Sequence, residues 1–209
     1  MNPYKLKITD TYTLVNQTKM YDLDQCFAFI QERGKAIFGY HFTLTSRQKE
    51  LFYKLIAYAI DDQKVMASLK LSSNKGLLLM GEEGSGKTAF MRLTQSFYPH
   101  KKNYDIKVSR LLAQDFSCKG YEIFTPIFAP NAKCICLDNV GKEFIAKHYG
   151  TSCDVIYDIV EHFYEQRYDA SYPKLHITTA LSPTELEKRY GKKFRNMVKE
   201  LFNVIVCER

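Results

Sequence analysis

No window of this chain reaches the 18 consecutive apolar residues of a membrane-spanning helix, and its opening segment, MNPYKLKITDTYTL, lacks the apolar core of a secretory signal. These absences set the expectation of a cytoplasmic protein with no membrane partner. Cysteines stand at 26, 118, 134, 136, 153 and 207, without a C-x-x-C pair or regular spacing. A zinc site or a disulfide framework needs spacings that are missing, so free thiols in a reducing compartment are expected. Internal repeats and low-complexity tracts are lacking as well.

What remains is ordinary globular composition: 209 residues, 45% hydrophobic and 25% charged. That is enough for one domain with a small appendage. A formal charge of +7 and a pI near 9.0 admit nucleic acid as a partner through phosphate neutralisation. They equally admit a basic surface that only keeps the protein soluble.

Residues 76–95, GLLLMGEEGSGKTAFMRLTQ, carry the strongest signal. An apolar run (Leu77 to Met80) breaks at Gly81, and an amphipathic pattern follows Thr88. Between them lies G-x-x-x-x-G-K-T, in the strand–loop–helix setting that a phosphate-binding loop requires. Glycines permit torsions that turn successive N–H groups towards an anion. The helix start adds a positive end, Lys87 reaches the β- and γ-phosphates, and the Thr88 hydroxyl can ligate Mg²⁺. Gly81, Glu82, Glu83, Gly84, Ser85, Gly86, Lys87, Thr88 and Ala89 are therefore the expected contacts of a nucleoside triphosphate such as ATP.

Residues 1–43 form a separate N-terminal extension in this reading, and 44–209 the nucleotide-binding domain. A short helix is expected after Asp22, ending near Gly34. Tyr4, Tyr12, Tyr21, Phe27, Phe29, Phe38, Tyr40 and Phe42 could stack on bases, pack a small lobe, or help the segment dock a partner. A helix spans Thr45 to about Ser68, and the phosphate-loop helix runs to about Tyr98. A strand near 105–108, a helix from Ser109 to about Cys118, and the proline-marked loop FTPIFAPNAK (124–133) follow. A long helix is expected over 151–169, then a strand over 175–181, two short helices (183–190 and 191–202) and a final apolar run, FNVIVC. Strands alternating with helices imply an open α/β fold, a mostly parallel sheet with helices on both faces.

CICLDNVG, residues 134–141, reads as a buried strand delivering Asp138 to the carboxyl edge of that sheet, where ligands collect. A carboxylate there can hold Mg²⁺ through its water shell, beside Thr88. Asn139 can orient water but cannot accept its proton. Glu143 is the nearest acid that could, with Glu82 and Glu83 as others. The alternative for Glu143 is a solvated surface acid.

These residues resemble the AAA+ ATPases of the DnaC helicase-loader and IstB transposition-helper type. The similarity runs from about residue 72 to 207: GEEGSGKT resembles the family's Walker A, LDNVGKE its Walker B, and HYG, EQRYD, HITTALSPTELEKRYG and KELFNVI its usual later wording. The resemblance implies a P-loop NTPase three-layer sandwich with a five-stranded, mostly parallel sheet, no C-terminal lid, and a small N-terminal helical extension. It also implies Mg²⁺ and ATP as cofactors, single-stranded DNA and a replicative helicase or transposase as partners, and a homo-oligomer. Departures from the pattern stand at three places. Asn139 replaces the second acid, and Ala180 replaces the sensor asparagine, with Thr178 and Thr179 as nearby hydroxyls. Met197 takes the place of the arginine that reaches a neighbour's nucleotide, leaving Arg195, Lys193 and Arg167 as substitutes. Lys87, Asp138, Glu143 and Thr179 are the expected catalytic residues. The function implied is an ATP-binding module of replication or transposition with slow or partner-stimulated hydrolysis; the alternative is a nucleotide-gated scaffold without turnover.

Overall fold

A computed structural model describes residues 6–129 and 131–208. Tyr4 and Pro130, both invoked above, lie outside the described residues. The chain divides into two compact units, one of residues up to Lys70 with Ala89–Pro99, the other of Leu71–Thr88 with residues from His100 on.

The first unit begins with an antiparallel hairpin, β1 (Tyr12–Val15) and β2 (Thr18–Tyr21). Asn16 and Gln17 turn it with φ of 49° and 63°, a left-handed pair that suits the twist of a two-residue hairpin loop. Helix α1 spans Leu23–Phe38, its start capped by the Asp22 carboxylate. It does not end near Gly34. That glycine sits buried mid-helix, where a Cβ would fall 2.1 Å from the Phe42 ring, so it is a packing glycine and the helix stops only at Gly39, φ 102°. The N-terminal region is thus a hairpin plus a helix, not a helix alone. The expected helix over 45–68 is two, α2 (Ser46–Ala59) and α3 (Gln63–Ser68), parted where Asp61 takes φ 61°. Thr45 and Gln48 close α2 with a reciprocal capping box. Phe52 and Phe90 meet edge to face at 5.0 Å, and Phe29 and Phe97 at 5.8 Å, so these aromatics build a core.

The second unit opens with β3 (Gly76–Met80), buried at every position, and the glycine-rich loop; α4 (Lys87–Thr94) starts there, and from Ala89 on it is counted with the first unit. That helix is shorter than expected, since a 3-10 turn at Gln95–Phe97 replaces its end. There follow β4 (Tyr104–Val108), α5 (Ser109–Lys119), the single turn α6 (Thr125–Phe128) inside the proline-marked loop, and β5 (Cys134–Val140). A small hairpin, β6 (Ala146–His148) and β7 (Thr151–Cys153), takes the place of the first residues of the expected long helix. Tyr149 and Gly150 at its tip have φ of 45° and 86°. The helix itself, α7, is Val155–Glu165, started by the Asp154 cap. β8 (Leu175–Thr179), α8 (Pro183–Tyr190), α9 (Lys192–Leu201) and β9 (Phe202–Val206) complete the unit.

All pairings in the central sheet are parallel, and the strand order is β4-β5-β8-β3-β9. The sheet is flanked by helices, an α/β P-loop NTPase core. Leu78, Ile135, Leu137, Leu175 and Ile177 turn one face towards Phe116, Ile159, Phe163, Phe194 and Met197 of α5, α7 and α9. Such burial, worth roughly 1.5–3 kcal/mol per large apolar side chain, is what fixes the register. The order places β8 between β3, which launches the loop, and β5, which carries Asp138.

Candidate functional site

The loop between β3 and α4 begins where a side chain is sterically excluded. A Cβ on Gly81 would lie 2.1 Å from the Cys207 carbonyl oxygen, because β9 closes against this corner and Cys207 N donates to Met80 O at 2.6 Å. Gly84 and Gly86 take φ of 79° and 87°, torsions that other residues adopt at a cost. Ser85 N donates to Glu82 O at 3.2 Å, closing a turn within the loop. Ala89 is the third residue of α4.

Lys87 is only 5% exposed. Its ammonium donates to the carbonyls of Gly81 and Glu82, both at 2.7 Å, and to Ser85 Oγ at 3.2 Å. The side chain thus curls back onto the loop. Burial is the main force that lowers its pKa from the ordinary lysine value.

Asp138 lies at the carboxyl end of β5, buried, with donors on both oxygens. Oδ1 accepts from Thr88 Oγ1 at 2.8 Å and from Thr178 Oγ1 at 2.7 Å, while Oδ2 accepts from Asn139 Nδ2 at 3.1 Å. The pairing of β5 with β8 slips between Leu137 and Val140, and Asn139 has φ 58°. A bulge of this kind re-aims side chains at a strand end, and asparagine tolerates the left-handed region. The Asn139 backbone is held there by Thr178 Oγ1, which accepts from its N–H at 3.0 Å, and by Ser109 Oγ, which donates to its carbonyl at 2.7 Å. Asn139, which follows Asp138 directly, therefore braces it.

The loop and the acid, 50 residues apart, meet through Thr88 and Asp138. Among the described residues no group of three or more His, Cys, Asp or Glu is arranged to hold a metal. A hydroxyl and a carboxylate side by side still fit Mg²⁺, which takes oxygen donors and keeps several waters.

Thr179 ends β8 beside Thr178. Its hydroxyl donates to Val140 O at 2.7 Å and accepts from Leu181 N at 3.0 Å, so it ties the strand end rather than facing Asp138. Neighbouring strand residues point to opposite faces, and it is Thr178 that reaches the acid. Glu143 is not a solvated surface acid: its side chain is fully buried and accepts from Tyr190 OH, from Gly141 N at 2.9 Å and from Arg189 at 3.4 Å. Burial, first, and the Glu143 charge push the Tyr190 hydroxyl far above the ordinary phenol range. Glu83 pairs with Lys142 at 2.8 Å on the loop's rim.

The substitutes for the missing arginine are each engaged within the chain. Arg195 pairs with Glu187, Lys193 with Glu161 at 2.5 Å, and Arg167 with Glu200 at 3.0 Å while lying 3.7 Å from the centre of the Tyr164 ring. Met197 is 1% exposed and packs into the core, so that face of α9 points inwards. All six cysteines are free thiols, Cys118 being exposed and the others buried. A cavity of about 280 Å³ lies at the amino ends of β3 and β8, away from the loop, lined in part by Lys75, Arg167 and Lys174. Among the described residues no helix is long and apolar enough to cross a membrane.

No family model matches the sequence, and a search of curated proteins returns no significant match. Solved structures do match in shape. The DnaC helicase loader superposes with a TM-score of 0.54 at 17% identity, covering 80% of this chain and 94% of that one. DnaI gives 0.52 at 14% identity, covering 80% and 86%. AMPPCP-bound DnaA from Aquifex aeolicus gives 0.51 at 17% identity, covering 80% of this chain and 48% of that one. These likenesses are of fold: the chain has a DnaC-like AAA+ P-loop fold.

Proposed function

We propose that this chain is an ATP-binding AAA+ module of DNA replication, serving helicase loading, or of mobile-element transposition, with slow or partner-stimulated hydrolysis. The observation that carries the proposal is the convergence of Lys87, Thr88 and Asp138 at one end of the sheet. Residues 81–89 would cradle the phosphates, with the Lys87 ammonium exchanging loop carbonyls for phosphate oxygens. Thr88 would ligate Mg²⁺ directly and Asp138 through water, and the metal, when bound, supplies charge neutralisation at the terminal phosphates. A DnaA of the same fold is solved with AMPPCP, and neighbours named as a helicase loader support the replication setting.

Asp138 would hold its water-shell contact in a fixed orientation, because Thr88, Thr178 and Asn139 already direct donors at it. Glu143 is engaged by Gly141, Arg189 and Tyr190, and Glu83 by Lys142, which leaves the base among Glu82, Glu83 and Glu143 open. That observation favours, as the second reading, a nucleotide-gated scaffold in which binding alone changes affinity for a partner. Single-stranded DNA, a replicative helicase or a transposase, and further copies of the chain belong to the proposal as partners. So does a cytoplasmic location, which six free thiols suit.

Calorimetry with Mg·ATP on wild type and Lys87→Ala tests the binding, with phosphate release measured with and without single-stranded DNA. Heat on binding that vanishes in Lys87→Ala is expected. Release above background that DNA raises supports the enzyme, and binding without release supports the scaffold. Absence of any heat or thermal shift on folded wild type overturns both.

A further inference from the structure

The segment after Asp138 is built as a fixed arm. Its first residue, Asn139, is pinned at both ends of its peptide group by Ser109 and Thr178. Lys142 N closes a turn on Asn139 O at 3.3 Å, and Gly141, φ 99°, donates its N–H to Glu143. Glu143 in turn is anchored to α8 by Tyr190 and Arg189. Buried groups satisfied in this way hold a backbone firmly.

Lys142 stands on this arm, and its ammonium reaches Glu83 Oε1, in the phosphate-binding loop, at 2.8 Å. The two side chains are 48% and 71% exposed, so solvent screens the pair and holds it only weakly. A rigid pedestal thus presents a loosely engaged cation at the rim of the loop, on the Asp138 side. The charge is felt inside as well: burial is the first cause of the depressed Lys87 pKa, and repulsion from Lys142 adds to it.

We propose that Lys142 is a second phosphate-binding cation, which exchanges Glu83 for the terminal phosphate of a bound nucleoside triphosphate. The proposal rests on the reading of residues 81–88 as a triphosphate site. Lys142 follows by four residues Asp138, which accepts a hydrogen bond from Thr88, the residue expected beside the terminal phosphates. A triphosphate concentrates more negative charge at that rim than one solvated carboxylate, so exchange is favourable. Lys142 would then give the chain, in cis, a positive charge that Arg195, Lys193 and Arg167 do not bring, and would make it discriminate triphosphate from diphosphate.

The test is calorimetric titration of the full chain with Mg·AMPPCP and with Mg·ADP, using wild type, Lys142→Ala, Lys142→Arg, Glu83→Gln and the double variant Lys142→Ala/Glu83→Gln, with melting temperatures to certify folding. Lys142→Ala is expected to weaken AMPPCP by about fivefold or more and ADP by less than about twofold, a selective loss that Lys142→Arg restores. Glu83→Gln is expected to tighten AMPPCP, and the gain should vanish in the double variant. If the pair is only a surface tie, Lys142→Ala and Glu83→Gln act alike and touch both nucleotides equally, which overturns the proposal. Wild type that binds both nucleotides with unchanged Lys142→Ala also overturns it and leaves the triphosphate site standing. Wild type that binds neither removes the site and the proposal together.

Discussion

The Thr88 hydroxyl lies 2.8 Å from Asp138 Oδ1, so a residue of the glycine-rich loop and a residue at the end of β5 are in direct contact. That hydrogen bond joins the proposed phosphate-binding and metal-binding halves of the candidate site, and Thr178 supports it from the strand between.

Thr178 should therefore matter to a metal that it does not touch. In Thr178→Val the shape is kept, but Asp138 loses a donor and Asn139 N–H an acceptor. A loss of about 1–2 kcal/mol in denaturant unfolding is expected. Magnesium-dependent nucleotide affinity should fall about tenfold while metal-free affinity is kept, and Thr178→Ser should recover both. Equal affinities in Thr178→Val and wild type with Mg²⁺ present would remove the bracing role.

Glu143 offers a clean separation between an anchor and a base. Glu143→Ala leaves Tyr190 and Arg189 facing a buried gap and should cost about 3 kcal/mol of stability. Glu143→Gln keeps an acceptor and should retain most of the stability and any phosphate release. Release abolished in Glu143→Gln at unchanged melting temperature would make it the base after all.

His176 sets a dependence on acid. It is buried in β8, where its Nδ1 accepts from Leu77 N at 3.1 Å, and burial, helped by Lys174, lowers its pKa from 6.5 to about 3. The unfolded chain takes up this proton near pH 6.5, whereas the folded chain does not until about pH 3. The contribution is complete above pH 6.5 and is lost as pH falls towards 3, at up to about 1.4 kcal/mol per pH unit. Urea unfolding from pH 7 to 4 should show this slope, and His176→Gln should flatten it.

Binding to single-stranded DNA, motivated by the +7 charge and by Lys192, Lys193, Arg195 and Lys199 along α9, should be salt-driven. Affinity is expected to drop at least about tenfold between low and moderate salt. A flat salt response in fluorescence anisotropy would count against that partner.

The glycine-rich loop, Lys87, Thr88 and Asp138 were legible in the sequence because each follows from a short local pattern, an apolar run broken by glycine or ended by an acid. Thr178 was overshadowed by Thr179 because the choice depends on strand parity beside β5, and strand order is a property of the whole sheet. The burial of Glu143 depends on Arg189 and Tyr190, 46 and 47 residues further on, which no local window contains. The two hairpins escaped because their strands are only three or four residues long, too short for a period of two to register. Gly34 resembles a helix end in sequence because its constraint, the Phe42 ring, arises only once the chain folds back beyond Gly39.

In the finished sheet β3 is flanked on its two sides by β8 and β9, whose partners for Leu78 are Ile177 and Val204. A chain emerging from the ribosome therefore presents its glycine-rich loop long before either neighbour of the strand that launches it exists. The loop cannot be held in register until residues 175–206 have been translated, and pairings of that span close slowly. The corner that shapes the loop therefore depends on two of the last strands to be made.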